Sequence, residues 1–165
     1  MKLFKKTLGL FFLCLAFVSC SYSPGDYVPK TGFALKDLDG KAVSLSDFKG
    51  KIVFIDFWAS WCPPCVQSIP AVEGLYKQYA DNKGVVFLGI NVNEDKQKVV
   101  DFVKEKGITY KVLLGDREVM SKYKIKSIPS FFVIDKDGNI ANKHIGFMPG
   151  IDVQWDKDIK FLLEK

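Results

Sequence analysis

Hydrophobic positions fall along this chain in two ways, as continuous runs and as spaced stripes. Residues 52–58 read IVFIDFW and residues 85–92 read VVFLGINV. Both runs are short, rich in β-branched and aromatic residues, and apolar at consecutive rather than alternate positions. That pattern predicts strands buried on both faces of a central parallel sheet. Between them Val72, Leu75, Tyr76 and Tyr79 recur at i, i+3, i+4 and i+7, the spacing of one helix face. Pro70 lies early in that helix and is expected to kink it. Val99, Phe102 and Val103 mark an amphipathic helix over 95–106 with a charged opposite face. KVLL at 111–114 reads as a short strand, and REVMSKYKI at 117–125 as a short helix.

The two ends of this region carry turn signals. In FALKDLDGKAVSLSDFKGK (33–51), Asp39-Gly40 separates two strand-like pieces, a hairpin pattern. In SFFVIDKDGNIANKHIG (130–146), Asp137-Gly138 does the same. Trp155, Ile159 and Leu162 give a closing helix. The order is a hairpin, then β-α-β, an added helical unit, and β-β-α. This predicts a mixed α/β fold, one central sheet flanked by helices, as a single domain over 33–165.

The first residues break from this pattern. MKLFKK is a positive stretch and LGLFFLCLAFV (8–18) a short apolar one, followed by Ser19 and Cys20. Charge, length and small-residue ending are those of an export signal over 1–19. The run is shorter than the roughly 20 apolar residues that span a bilayer. Residues 20–32, rich in Pro, Gly and Ser, read as a tether. Phe17-Val18-Ser19-Cys20 resembles the lipobox of bacterial lipoproteins, with Phe17 where leucine is usual. The resemblance implies cleavage before Cys20, lipidation of its thiol, and a chain exported to the outer face of a bacterial membrane. Soluble secretion is the alternative.

Charge changes the picture little. The net charge is +5, and Lys2, Lys5 and Lys6 of the signal supply three of those charges, leaving +2. The other lysines are scattered among acids, with no basic stripe interleaved with aromatics, so no nucleic-acid partner is expected.

Cysteine changes it a great deal. Cys14 leaves with the signal and Cys20 is committed to the anchor. The mature chain then keeps one pair, Cys62 and Cys65, in FWASWCPPC at 57–65. A C-x-x-C pair admits a metal clip, a static disulfide or a working dithiol. Zinc asks for four ligands, but there is no second C-x-x-C, and His144 is the sole histidine. A structural bridge gains more from closing a long loop than a two-residue one. A dithiol exchange centre needs one accessible thiol of lowered pKa and a second thiol to close on it. The first turn of a helix provides both, because its free N–H groups and dipole favour a thiolate. Pro63 and Pro64 suit that turn, where a missing N–H matters least. Cys62 is therefore expected to attack, and Cys65, more buried, to resolve the mixed disulfide.

FIDFWASWCPPC resembles the active-site strand and turn of the thioredoxin superfamily. The wider layout over about 30–165 is similar to its exported TlpA/ResA-like branch, related to the AhpC/TSA redoxins, with residues 33–50 and 94–110 as the branch's two additions. The resemblance implies a thioredoxin-like fold and a redox-active Cys62–Cys65 disulfide. It also implies substrate contacts at Trp61, Pro63, Pro64, Ile128 and Pro129. Ile128-Pro129 stands where the superfamily carries a cis-proline facing the active site, which would leave the Ile128 backbone free for a substrate strand. Taken alone, Pro129 reads equally as a trans proline entering an edge strand. Asp56, six residues before Cys62, matches a buried carboxylate of cytoplasmic members. It would exchange a proton with the resolving thiol, or else be satisfied by backbone donors. Ser68 departs from the branch, which often carries a glutamate there, so the acid–base role falls to Asp56.

The expected function is that of an extracytoplasmic, membrane-tethered thiol-disulfide oxidoreductase. It would reduce disulfides of exported proteins, such as apocytochrome c, with electrons from a membrane donor. No cofactor or metal is called for, and a monomer is expected. A dithiol oxidant remains open. So does a peroxiredoxin-type thiol peroxidase, although Ala59 stands where peroxidases place a threonine and Arg117 is the sole arginine. A non-enzymatic binding module is the third class.

Overall fold

The computed structural model describes residues 32–92 and 94–165. The expected export signal, Cys20 and nearly all of the expected tether lie outside the described residues.

The run of seven apolar-patterned residues predicted at 52–58 forms β3 (Ile52–Trp58), and the run at 85–92 forms β4 (Val85–Val92). They pair in parallel, with Asp56 beside Gly89. Every residue of β3 is buried, as a strand covered on both faces requires. Around this pair the described residues build one seven-stranded sheet. β1 (Ala34–Asp37) and β2 (Ala42–Ser44) form the first hairpin, and a 3₁₀ turn (Leu45–Phe48) follows. β5 (Lys111–Gly115) lies parallel to β4 and antiparallel to β1. β6 (Ser130–Ile134) and β7 (Ile140–Ile145) form the second hairpin, with β6 antiparallel to β3. The spatial order is β2-β1-β5-β4-β3-β6-β7.

The helices are α1 (Pro63–Gln78), α2 (Lys96–Lys106), α3 (Arg117–Lys122) and α4 (Asp152–Leu163). Alternation along β3 sorts them onto faces. Phe54 packs on Phe87 and on Trp155 of α4, Phe87 meets Tyr76 and Tyr79 at the end of α1, and Trp58 stacks on Phe102 of α2. On the other face Phe57 meets Phe132 and Tyr123, the residue that ends α3. Asp56 shares the first face, beneath α1.

Two details differ from the sequence reading. The strand read at 111–114 runs one residue further, to Gly115, and as β5 it follows α2 and enters the sheet between β4 and β1. The helix expected over 117–125 ends at Lys122, because Lys124 adopts a left-handed φ of 49°. Helix α1 continues through Pro70, which removes the N–H that would reach the Val66 carbonyl.

Candidate active site at the head of the first helix

The C-terminal end of β3 delivers the chain to α1 across a short turn, residues 59–62. Cys62 is the N-cap of α1, with extended backbone (φ −95°, ψ 105°), and Pro63 and Pro64 occupy the first helical positions. Neither proline has an N–H. The first free donor of the helix is therefore the Cys65 amide, which points at Cys62 Sγ from 3.3 Å. No acidic residue stands in this first turn. A negative charge on Cys62 sulfur would meet a directed N–H and the positive end of the helix dipole.

Cys62 and Cys65 are joined as a disulfide, with Cα atoms 5.2 Å apart. Both are buried, Cys65 at 1% exposure and Cys62 at 4%. The Ile128–Pro129 bond is cis, and the Ile128 carbonyl oxygen lies 3.7 Å from Cys62 Sγ. Trp61 is 67% exposed. It lines a cleft of about 370 Å³ with Val92, Met120, Ile125, Lys126 and Ile128. The structure thus brings Trp61, Cys62, Pro63, Cys65, Ile128 and Pro129 to one end of the sheet.

Asp56 is buried in β3, the strand that feeds the turn carrying Cys62. Burial pushes its pKa up to about 8, and the Tyr110 hydroxyl acts in the opposite direction. Neither carboxyl oxygen has a hydrogen-bond partner of ordinary geometry, so the backbone-satisfied arrangement considered from sequence is not present. Ser68 is buried too, and its hydroxyl donates to the Cys65 carbonyl at 2.8 Å. His144 sits in β7 and pairs with Asp158 at 2.7 Å. Arg117 is exposed at the start of α3, and Ala59 is buried.

Glu94 was not anticipated. Its carboxylate accepts from the Ser60 amide at 2.7 Å, from the Ser60 hydroxyl, and from Asn91 Nδ2 at 2.6 Å. It ties the turn that presents Cys62 to the end of β4. In the sequence it belongs to the charged stretch NEDK, which gives no sign of a structural contact 34 residues back.

Comparison with known proteins agrees with this geometry. Residues 23–158 match the redoxin family. Thiol-disulfide oxidoreductase ResA of Bacillus subtilis is 37% identical over 78% of this chain and 70% of its own length. Thioredoxin-like protein YneN of the same organism is 36% identical over 77% of this chain and 75% of its own. Among solved structures, a thiol:disulfide interchange protein of the thioredoxin family from Chlorobium tepidum superposes with a TM-score of 0.73. It is 32% identical, over 86% of this chain and 99% of that one. The fold, the cysteine pair at the helix head and these relatives agree, and the chain belongs to the redoxin family, as a ResA-like thiol-disulfide oxidoreductase of the thioredoxin superfamily.

Proposed function

We propose that the protein reduces disulfides of exported proteins, apocytochrome c among them, while held at the outer face of a bacterial membrane by a lipid on Cys20. The observation that carries the site assignment is the Cys65 amide aimed at Cys62 Sγ at the N-cap of α1. In the reduced enzyme the Cys62 thiolate attacks one sulfur of the substrate disulfide. A mixed disulfide forms and the other substrate sulfur leaves as a thiolate. Cys65 then gives up its proton, attacks Cys62 sulfur and expels the second substrate thiolate. The substrate gains two electrons, the enzyme becomes the Cys62–Cys65 disulfide, and a membrane donor restores the dithiol.

Asp56 is the proton acceptor for Cys65 in this scheme. A carboxyl with a pKa of about 8 populates both protonation states near neutral pH, so it can take a proton and return it. Trp61, Pro63, Pro64 and the Ile128-Pro129 segment form the surface on which a substrate strand lies, with the cleft beside Trp61 open to a substrate side chain.

The test combines insulin reduction with trapping. Cys65→Ser is expected to accumulate mixed disulfides, and Cys62→Ser none. Alkylation of the reduced protein is expected at Cys62 first, and a faster Cys65 reverses the roles. A reduction potential near the thioredoxin end of the range, about −270 mV, supports the reducing direction, whereas one near about −120 mV makes it an oxidant. Peroxide turnover without insulin reduction would replace the reading with a peroxidase. Intact mass of the membrane-extracted chain tests the acyl group on Cys20.

A further inference from the structure

The face of the sheet beneath α1 holds a buried polar group that cysteine chemistry alone does not explain. Tyr110 comes from the short connection between α2 and β5 and packs edge-on against Tyr76 of α1, with ring centres 6.1 Å apart. It is buried, yet its hydroxyl has no hydrogen-bond partner of ordinary geometry. The same is true of both Asp56 oxygens and of Trp58 Nε1. Buried polar groups are rarely left this way without a reason.

Gly89 supplies the geometric link. It pairs directly with Asp56, so the space above its Cα is on the side to which Asp56 projects. A Cβ there would lie 2.8 Å from Tyr110 Cε2 and 2.9 Å from Trp58 Nε1. Both separations are too short for a side chain to occupy. Glycine at this position is what admits the Tyr110 ring over β4, next to Asp56. Burial is the main cause that raises the Tyr110 pKa, followed by the charges of Asp56 and Glu73. The tyrosine and the aspartate therefore share one electrostatic environment.

The other groups around this pocket are few. From α1, Glu73 faces Tyr110, with its carboxylate held by the Thr109 amide and hydroxyl, and Cys65 becomes titratable once reduced. β4 contributes Gly89. β6 contributes Phe131, directly beside Asp56. One strand further, His144 of β7 is engaged by Asp158 of α4. α2 contributes Phe102, stacked on Trp58.

We propose that Tyr110 is a positioning residue for Asp56: through the gap left by Gly89 its hydroxyl donates to the carboxylate when that carboxylate is ionised, and releases it on protonation. This rests on the reading of Asp56 as the proton acceptor, and it deepens that reading by naming the group that sets the pH of the exchange. The residues paired with Asp56 on the neighbouring strands, Gly89 and Phe131, offer no side-chain donor, and Tyr110 is the hydroxyl whose hydrogen bond lowers the Asp56 pKa.

The test is Tyr110→Phe, which keeps the ring and removes the hydroxyl. The full disulfide-form chain is titrated by carboxyl-carbon NMR, and the thiol–disulfide exchange rate is measured against pH. Loss of a donor to the charged form is expected to move the Asp56 midpoint up by about one pH unit, with the rate profile following. Gly89→Ala, which displaces the ring, is expected to move it in the same direction. In an Asp56→Asn background Tyr110→Phe is expected to leave the rate profile where it was. An Asp56 midpoint in Tyr110→Phe that is unchanged or lower overturns the inference. If Asp56→Asn leaves exchange rates untouched while the NMR midpoint still moves with Tyr110→Phe, the proton-transfer role of Asp56 fails and the positioning by Tyr110 stands.

Discussion

Asp56 keeps a proton in the fold that an exposed aspartate would release. Its pKa is about 8 in the folded chain against 3.8 for the ordinary group. The folded state therefore binds more protons than the unfolded state between those values. The stability this confers is complete below the lower value and is lost as pH rises through the upper one. In that window stability is expected to fall by about 1.4 kcal/mol per pH unit for this one group. Urea unfolding at about pH 5 and about pH 8 should show the fall in the parent chain and a flatter dependence in Asp56→Asn, with the variant the more stable at the higher pH. Equal slopes would mean that the buried charge is compensated. At this scale the sequence was legible where chemistry is local. Cys62, Pro63, Pro64 and Cys65 are consecutive, and helix-start physics assigns them without tertiary information. Ile128-Pro129 came only through the family resemblance, because its bearing on Cys62 depends on a contact 66 positions long. Tyr110 and Gly89 were silent, since a tyrosine in a loop and a glycine in a strand acquire meaning only when the register sets one above the other.

Among the elements, the turn from β3 to α1 depends on a neighbour rather than on its own residues. Glu94 satisfies the Ser60 amide and hydroxyl together. In Glu94→Ala those donors lose a charged acceptor, and a loss of about 1–3 kcal/mol in stability is expected. The alkylation rate of reduced Cys62 should change as well, because Cys62 follows Ser60 by two residues. Unfolding curves and thiol alkylation check the two effects, and an unchanged alkylation rate would limit Glu94 to holding strands together. Strands β3 and β4 were read from the sequence to the residue, because continuous β-branched and aromatic runs bounded by turns have few alternatives. Helix boundaries were less legible. The pattern placed Asp95 in α2, but Asp95 is its N-cap, accepting from the Gln97 amide at 2.9 Å. A capping side chain and a helical one look alike in a hydrophobic stripe. β5 was legible as a strand but not in its place between β4 and β1, since five residues carry no statement of which edge they join.

At the scale of the whole molecule, the N-terminal hairpin joins the rest of the sheet, among the described residues, through β5 alone, and β2 forms the edge with three residues. A short edge strand limits unwanted pairing. Removing residues 33–45 would replace it with the edge of β5, whose Val112 and Leu113 are buried. That variant is expected to self-associate, which light scattering would detect; a stable monomer would show that β5 needs no cover. The same attachment has a consequence in time. Lys36 of β1 pairs with Leu114 of β5, 78 positions later. At synthesis rates of about 5–20 residues per second, the hairpin waits roughly 4–16 s before its docking strand has been made. A lone two-stranded hairpin is marginal in water. Through that interval its solubility rests on the polar residues at its turn, Lys36, Asp37, Asp39 and Lys41, and the first segment of the domain to be synthesised is among those that wait longest for a place in the sheet.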